Sequence, residues 1–245
     1  MMSRFTVSRA AFLRSWVAGC AMCVSAAGLA ADSDAYSRWV PKGWRLESAV
    51  SGDLDKDGNA DAVLVLRQQN RRKILRNEGL GTSELDTNPR RLVVLLKSPE
   101  GFSKIAETSR FLPPVNDPEA PCLADPLEDG GVSIKRGLLL IDLNYWASCG
   151  SWGVSHDTFT FRLENGRFRL IGLDGSTFMR NSGEQAETST NFLTGKKKVT
   201  TGLNAFETST EPKVSWQRIP VIKPLYLDQM SSSCDAEDQP QKWCQ

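Results

Sequence analysis

Between Gly52 and Leu66 the chain reads Gly-Asp-Leu-Asp-Lys-Asp-Gly-Asn-Ala-Asp-Ala-Val-Leu-Val-Leu, with the carboxylates Asp53, Asp55, Asp57 and Asp61 directly ahead of an apolar run. Unit charges ~4 to 5 Å apart repel by about 1 kcal/mol per pair even in water, so drawing four together is costly without a cation. A hard divalent ion converts that cost into binding. Ca2+ suits the site because it accepts six to eight oxygen ligands in flexible geometry, from carboxylates and main-chain carbonyls alike.

The spacing assigns the roles. Alternate side chains at Asp53, Asp55 and Asp57 can aim at one centre, and Gly58 permits the sharp turn. Asn59 offers its main-chain carbonyl, and Asp61 closes the shell as the chain enters a strand. The pattern DxDxDGxxD differs from an EF-hand in closing at its ninth position, with a strand behind it instead of a helix. The plain alternative is a solvated Asp/Gly turn. Four regularly spaced acids with a glycine at the turn favour the ion.

No other stretch carries a comparable constellation. His156 is the only histidine. A triad would need Ser151 or Ser155 beside it, but strand neighbours point to opposite faces and Gly-Ser-Trp-Gly-Val fails the nucleophile-elbow pattern, so His156 reads as an ordinary polar residue. Glu119, Asp125, Glu128 and Asp129 share the loop region 117–129 and form the alternative reading, a glycan or cell-wall hydrolase using paired carboxylates. A solvated acidic loop is the commoner meaning of such a segment. The segment from Asn144 to Gly153 holds Tyr145, Trp146 and Trp152 in a Gly/Ser-rich setting. These aromatics are the candidate partner surface, as stacking faces or rigid anchors, unless they pack inward as core. Walker, GxGxxG and HExxH patterns are lacking, so nucleotide and zinc-peptidase readings have no support.

Residues 1–30 have the form of an export signal. Arg4, Arg9 and Arg14 precede a run of small and apolar residues, and Gly28-Leu29-Ala30 suits cleavage near Ala30. Val17-Ala18-Gly19-Cys20 resembles a lipobox, but only five residues separate Arg14 from Cys20, which speaks against lipidation. The expected location is periplasmic or secreted, with no transmembrane span in the mature chain. Cleavage leaves 27 basic against 29 acidic residues, a net charge of −2 that argues against nucleic acid as partner. The basic runs Arg71-Arg72-Lys73 and Lys196-Lys197-Lys198 sit beside turn-like sequence and read as solvated loops. Cys122, Cys149, Cys234 and Cys244 remain, an even number in an exported chain. Three connectivities are open, and the local pairings Cys122 with Cys149 and Cys234 with Cys244 are favoured.

Positioning these residues falls to β-structure. Ala62 to Leu66, Leu92 to Leu96 and Leu138 to Ile141 are continuous apolar runs, as expected of central strands covered on both faces. Asn165-Gly166 separates two β-rich runs between Thr158 and Leu173 and favours a type I′ hairpin. A two-residue turn sets Leu163 opposite Phe168 and Phe161 opposite Leu170 on one face, with Thr158, Thr160, Arg162, Arg167 and Arg169 on the other. Weaker strands are expected at Trp44 to Val50, Phe102 to Glu107, Asn191 to Leu193, Val199 to Leu203 and Val214 to Arg218. Gln68 to Asn88 and Leu112 to Glu128 read as long loops, and Asp34 to Val40 as one helical turn. The sum is a mainly β fold with little helix: an antiparallel meander with hairpins and long loops, forming a sandwich or an open-barrel or propeller-like sheet. Residues 31–230 form its single domain, with the calcium loop at 52–62 and a polar, disulfide-stapled tail at 231–245.

The stretch Gly52 to Val65 resembles the calcium loop of FG-GAP/VCBS repeats, the units of integrin-type β-propellers. That resemblance implies calcium ligation by Asp53, Asp55, Asp57, the carbonyl of Asn59, and Asp61. Only one such loop is present where a propeller needs several blades, so the expectation is a sandwich or open barrel. The wider chain is similar to a group of uncharacterised exported bacterial proteins, through stretches such as Asn77-Glu-Gly-Leu-Gly, Asn88-Pro-Arg-Arg-Leu, Gly150-Ser-Trp and Asn191-Phe-Leu-Thr-Gly. Neither resemblance brings an assigned activity; with no catalytic constellation in the residues, the expectation is a non-enzymatic binding or accessory protein with a protein or envelope partner.

Overall fold

Turn chemistry and β-rich runs together give thirteen strands in the computed structural model, which describes residues 35–207, 211–220 and 223–231. They are β1 Trp44–Gly52, β2 Asp61–Gln68, β3 Ile74–Arg76, β4 Glu84–Asp86, β5 Arg90–Ser98, β6 Gly101–Thr108, β7 Gly131–Lys135, β8 Leu138–Trp146, β9 Gly153–Glu164, β10 Arg167–Met179, β11 Glu184–Asn191, β12 Lys196–Asn204 and β13 Lys213–Arg218. Three single 3-10 turns are the named helical elements among the described residues, one of them at Ser37–Trp39 where a helical turn was expected.

Every strand pair is antiparallel. One sheet has the order β1-β2-β5-β6, a second β13-β12-β11-β10-β9-β8-β7, and β3-β4 form a small separate hairpin. The sheets stack as a sandwich and neither closes on itself, so the barrel and propeller alternatives give way to layered packing. The shared core sets Val63, Val65, Leu92 and Val94 of the smaller sheet against Leu139, Ile141, Leu143, Phe159, Phe161, Phe168 and Leu170 of the larger. Phe111 wedges between them, edge-on to Phe159 and Phe161 at centroid distances of 5.0 and 5.5 Å. Burying each such side chain contributes about 1.5–3 kcal/mol, which makes this interface the main source of cohesion.

The opposite face of the smaller sheet is also covered. Ala62, Leu64, Leu66, Val93 and Leu95 pack beneath Tyr36, Trp39 and Trp44. β2 and β5 are therefore buried on both sides, as their continuous apolar runs predict. β8 departs from that expectation: Leu139, Ile141 and Leu143 are buried while Leu138 and Leu140 are only partly so, because among the described residues no second layer covers the outer face there.

The β9–β10 hairpin has the expected register, with Leu163 opposite Phe168 and Phe161 opposite Leu170. Asn165 and Gly166 take φ of 50° and 75°, as a type I′ turn requires. A bulge at Ile171 then shifts the pairing, so that Phe159 meets Leu173. At Asn191 to Leu193 the expected strand is instead a strand end. Asn191 closes β11, and its Oδ1 accepts the N–H groups of Leu193 and Thr194 at 3.0 Å each, turning the chain. β3 and β4 occupy part of the 68–88 segment expected to be loop throughout. The export segment 1–30, Cys20, Ala30 and the Cys234–Cys244 pairing lie outside the described residues.

Candidate functional site

The acidic loop joins β1 to β2 across the end of the smaller sheet. Leu54 anchors it by burying its side chain in the main core, and Gly58 turns the chain at φ +88°. Asp61, the first residue of β2, is fully buried. Its Oδ2 accepts the Leu54 N–H at 2.7 Å and its Oδ1 accepts the Lys97 N–H at 2.8 Å, tying the loop to β5. Asp53 accepts the N–H groups of Lys56 at 2.6 Å and Gly58 at 3.1 Å.

Carboxylate oxygens of Asp53, Asp55 and Asp61 all lie within 4.8 Å of one another. Burial holds the Asp55 carboxyl above the usual carboxylate range; the Asp57 N–H works against this, and the charges of Asp61 and Asp57 reinforce it. The donor set fits a hard cation, since a carboxylate oxygen that accepts one N–H keeps a second lone pair for a metal. Asp57 lies outside this trio. It accepts the Asn59 N–H and side-chain amide, both at 2.7 Å, and the amide contact foremost holds its pKa down. The loop rests on the larger sheet: a Cβ at Gly52 would meet Ile134 Cγ2 at 2.6 Å, and one at Gly137 would meet Lys56 Cε at 2.7 Å.

The Trp-rich segment begins at the end of β8, beside a cavity of about 720 Å³. Strand alternation splits the expected aromatic surface. Tyr145 lies on the core side, packs against the core and lines the cavity. Trp146 and Trp152 stay 40% and 60% exposed. Arg180, just past β10, lies over both rings at 5.0 and 5.8 Å and donates to the carbonyls of Ala147 and Ser151 at 2.7 Å each. A disulfide joins Cys122 to Cys149 behind the same segment, with 5.5 Å between the Cα atoms. Sequence reading found the tryptophans but not Arg180, whose partners lie about thirty residues earlier and leave no local signal.

The acids of 117–129 are dispersed. Asp125 accepts from the buried Arg90 at 2.7 and 2.5 Å, and Arg90 also donates to Glu47 at 2.8 and 2.9 Å. Burial opposes the Arg90 charge, but the two carboxylates outweigh it and raise its pKa. Glu128 and Asp129 are exposed, and Glu119 lines the large cavity. His156 sits between Asn144 Oδ1 at 2.5 Å and Thr158 Oγ1 at 3.1 Å, with Thr158 donating to Asp142 at 2.6 Å. Neither Ser151 nor Ser155 bonds to it. Among the described residues no helix is long and apolar enough to cross a membrane. No protein-family model matches the chain, and no curated protein or solved structure does.

Proposed function

We propose that this is an exported, calcium-dependent binding protein without catalytic activity, which meets a protein or envelope partner through Trp146, Trp152 and the adjoining cavity. The carrying observation is that Arg180 and the Cys122–Cys149 bridge fix two large aromatic side chains in place while leaving them in solvent. A segment held rigid with its rings outward loses little entropy on association, which suits a recognition anchor. In this reading Asp53, Asp55 and Asp61 hold Ca2+, supported by their converging oxygens and by the likeness of the loop to FG-GAP/VCBS repeats. The ion's role is to cancel carboxylate repulsion and stiffen the β1–β2 connection. With Asp125 engaged by Arg90, the carboxylate-pair hydrolase reading has no observation in its favour.

The test is capture from envelope extract by the wild-type protein and by Trp146→Ala/Trp152→Ala, each with calcium and with chelator. The expected outcome is a discrete set of captured proteins that the tryptophan variant loses and chelation weakens. Identical capture by both proteins would reject the surface.

A further inference from the structure

Cross-strand register in the smaller sheet sets three arginines in a row. Arg45 of β1 lies opposite Arg67 of β2, and Arg67 lies opposite Arg90 of β5. Directly opposed side chains share a face with Cβ atoms about 4.5–5.5 Å apart, and like charges in that position repel. A folded protein keeps such a row only where counter-charges are supplied.

The supply is uneven. Arg90 takes hydrogen bonds to Glu47 and Asp125 at 2.5 to 2.9 Å. Arg67 shares the same Glu47 at 3.6 Å and reaches Asp86 at 3.3 Å, both longer than a good hydrogen bond. Arg45 is exposed and has no ion pair among the described residues. The turn after β2 adds Arg71, also exposed and also without an ion pair among them. Arg45, Arg67 and Arg71, with Gln68, Gln69 and Asn70, line a cavity of about 450 Å³. Asp86 is the one carboxylate in its wall, so the lining carries an excess of two positive charges. The Gln68 Oε1 is buried without a hydrogen-bond partner, so turning that amide to point its NH2 inward costs no acceptor bond.

We infer that this cavity binds a phosphate- or sulfate-class oxyanion. Guanidinium groups match such oxyanions with paired N–H donors, and the arginines that lack close partners are the ones facing the cavity. The volume leaves room beyond a bare phosphate, which admits an ester of that class, as a soluble molecule or a lipid headgroup. The basic run at Arg71 thus contributes to a site, where the sequence alone reads it as solvated loop.

The test is isothermal titration of the full chain with inorganic phosphate and glycerol phosphate at low salt, alongside co-sedimentation with phosphatidylglycerol vesicles. The comparison is Arg45→Gln/Arg71→Gln, whose changes are at exposed side chains and whose melting curve is checked against wild type. Saturable binding of either soluble probe, weakened at least tenfold in the variant and by added salt, supports the site. Vesicle binding lost in the variant, with both soluble probes silent, also supports it and assigns the headgroup as the source. Absence of binding to all three probes, or binding that the folded variant retains, overturns it.

Discussion

Arg90 and Asp125, thirty-five residues apart in the chain, meet through two hydrogen bonds at 2.7 and 2.5 Å, and Asp125 in turn accepts the Leu127 N–H at 3.0 Å. This pair fastens the Pro-rich segment to β5. Removing one partner of a buried ion pair leaves the other uncompensated, a loss of about 3–5 kcal/mol. Arg90→Met is expected to lower stability by that order in urea denaturation, since it strands both Glu47 and Asp125. A loss below about 1 kcal/mol would mean that the network does not brace the fold.

Calcium is expected to raise the melting temperature of wild-type protein and chelator to reverse the rise. At a hundredfold excess over the dissociation constant the gain is about 2.7 kcal/mol. Asp55→Asn should abolish the response with little change in the calcium-free melt, because the Asp55 side chain accepts only the exposed Asp57 N–H, at 3.2 Å. Asp61→Asn behaves differently. Both of its oxygens accept main-chain N–H groups, so an amide there presents a donor to a donor and destabilises by about 1–3 kcal/mol even without calcium. Equal melting with calcium and with chelator in the wild type would remove the ion from the account.

Gly166→Val isolates backbone strain. A Cβ at Gly166 would meet nothing within 4 Å, so crowding is not at issue, yet φ is +75°. The expected loss is about 1–3 kcal/mol by chemical denaturation, larger than for Gly166→Ala. A neutral outcome would show that the hairpin turn relaxes to another type.

Asp157 faces the core side of β9 opposite Gly175, and burial pushes its carboxyl above the usual range, with the nearby His156 pulling the other way. Its folded pKa is raised, so the ionised form costs stability at neutral pH, and the cost fades as pH falls and the folded state takes up the proton first. Asp157→Asn should therefore melt higher than wild type at pH 7, and the gap should narrow as the pH falls and close by about pH 3, below the ordinary aspartate range, where folded and unfolded chains are both protonated. A gap that stays constant across this range would point to packing as the cause.

The sequence revealed those strands whose apolar content exceeds what a loop tolerates. β2, β5 and the β9–β10 hairpin were legible because burial or turn chemistry selects their residues directly. β11, which reads Glu-Gln-Ala-Glu-Thr-Ser-Thr-Asn, is a strand because β10 and β12 hydrogen-bond to both of its edges, and that pairing leaves no apolar pattern along the chain. β7 was equally hidden, since its Arg136-Gly137 turn, with φ of 56° and 76°, carries no Asn-Gly or Asp-Gly signature. In the acidic loop the spacing identified the acids but not their division, which depends on where Leu54 is buried and on the Asn59 amide taking up Asp57. Arg180 and Arg90 were invisible for a common reason: each acts on groups brought near only by the stacked layers.

Gly137 belongs to the larger sheet, yet a methyl group there would press on the Lys56 side chain and approach the Asp53 carbonyl at 3.6 Å. The tip of one hairpin is therefore a footing for the acidic loop of the other layer. Close approach at that point leaves no room for a side chain at Gly137, so the acidic loop and the β7–β8 turn can change place only together.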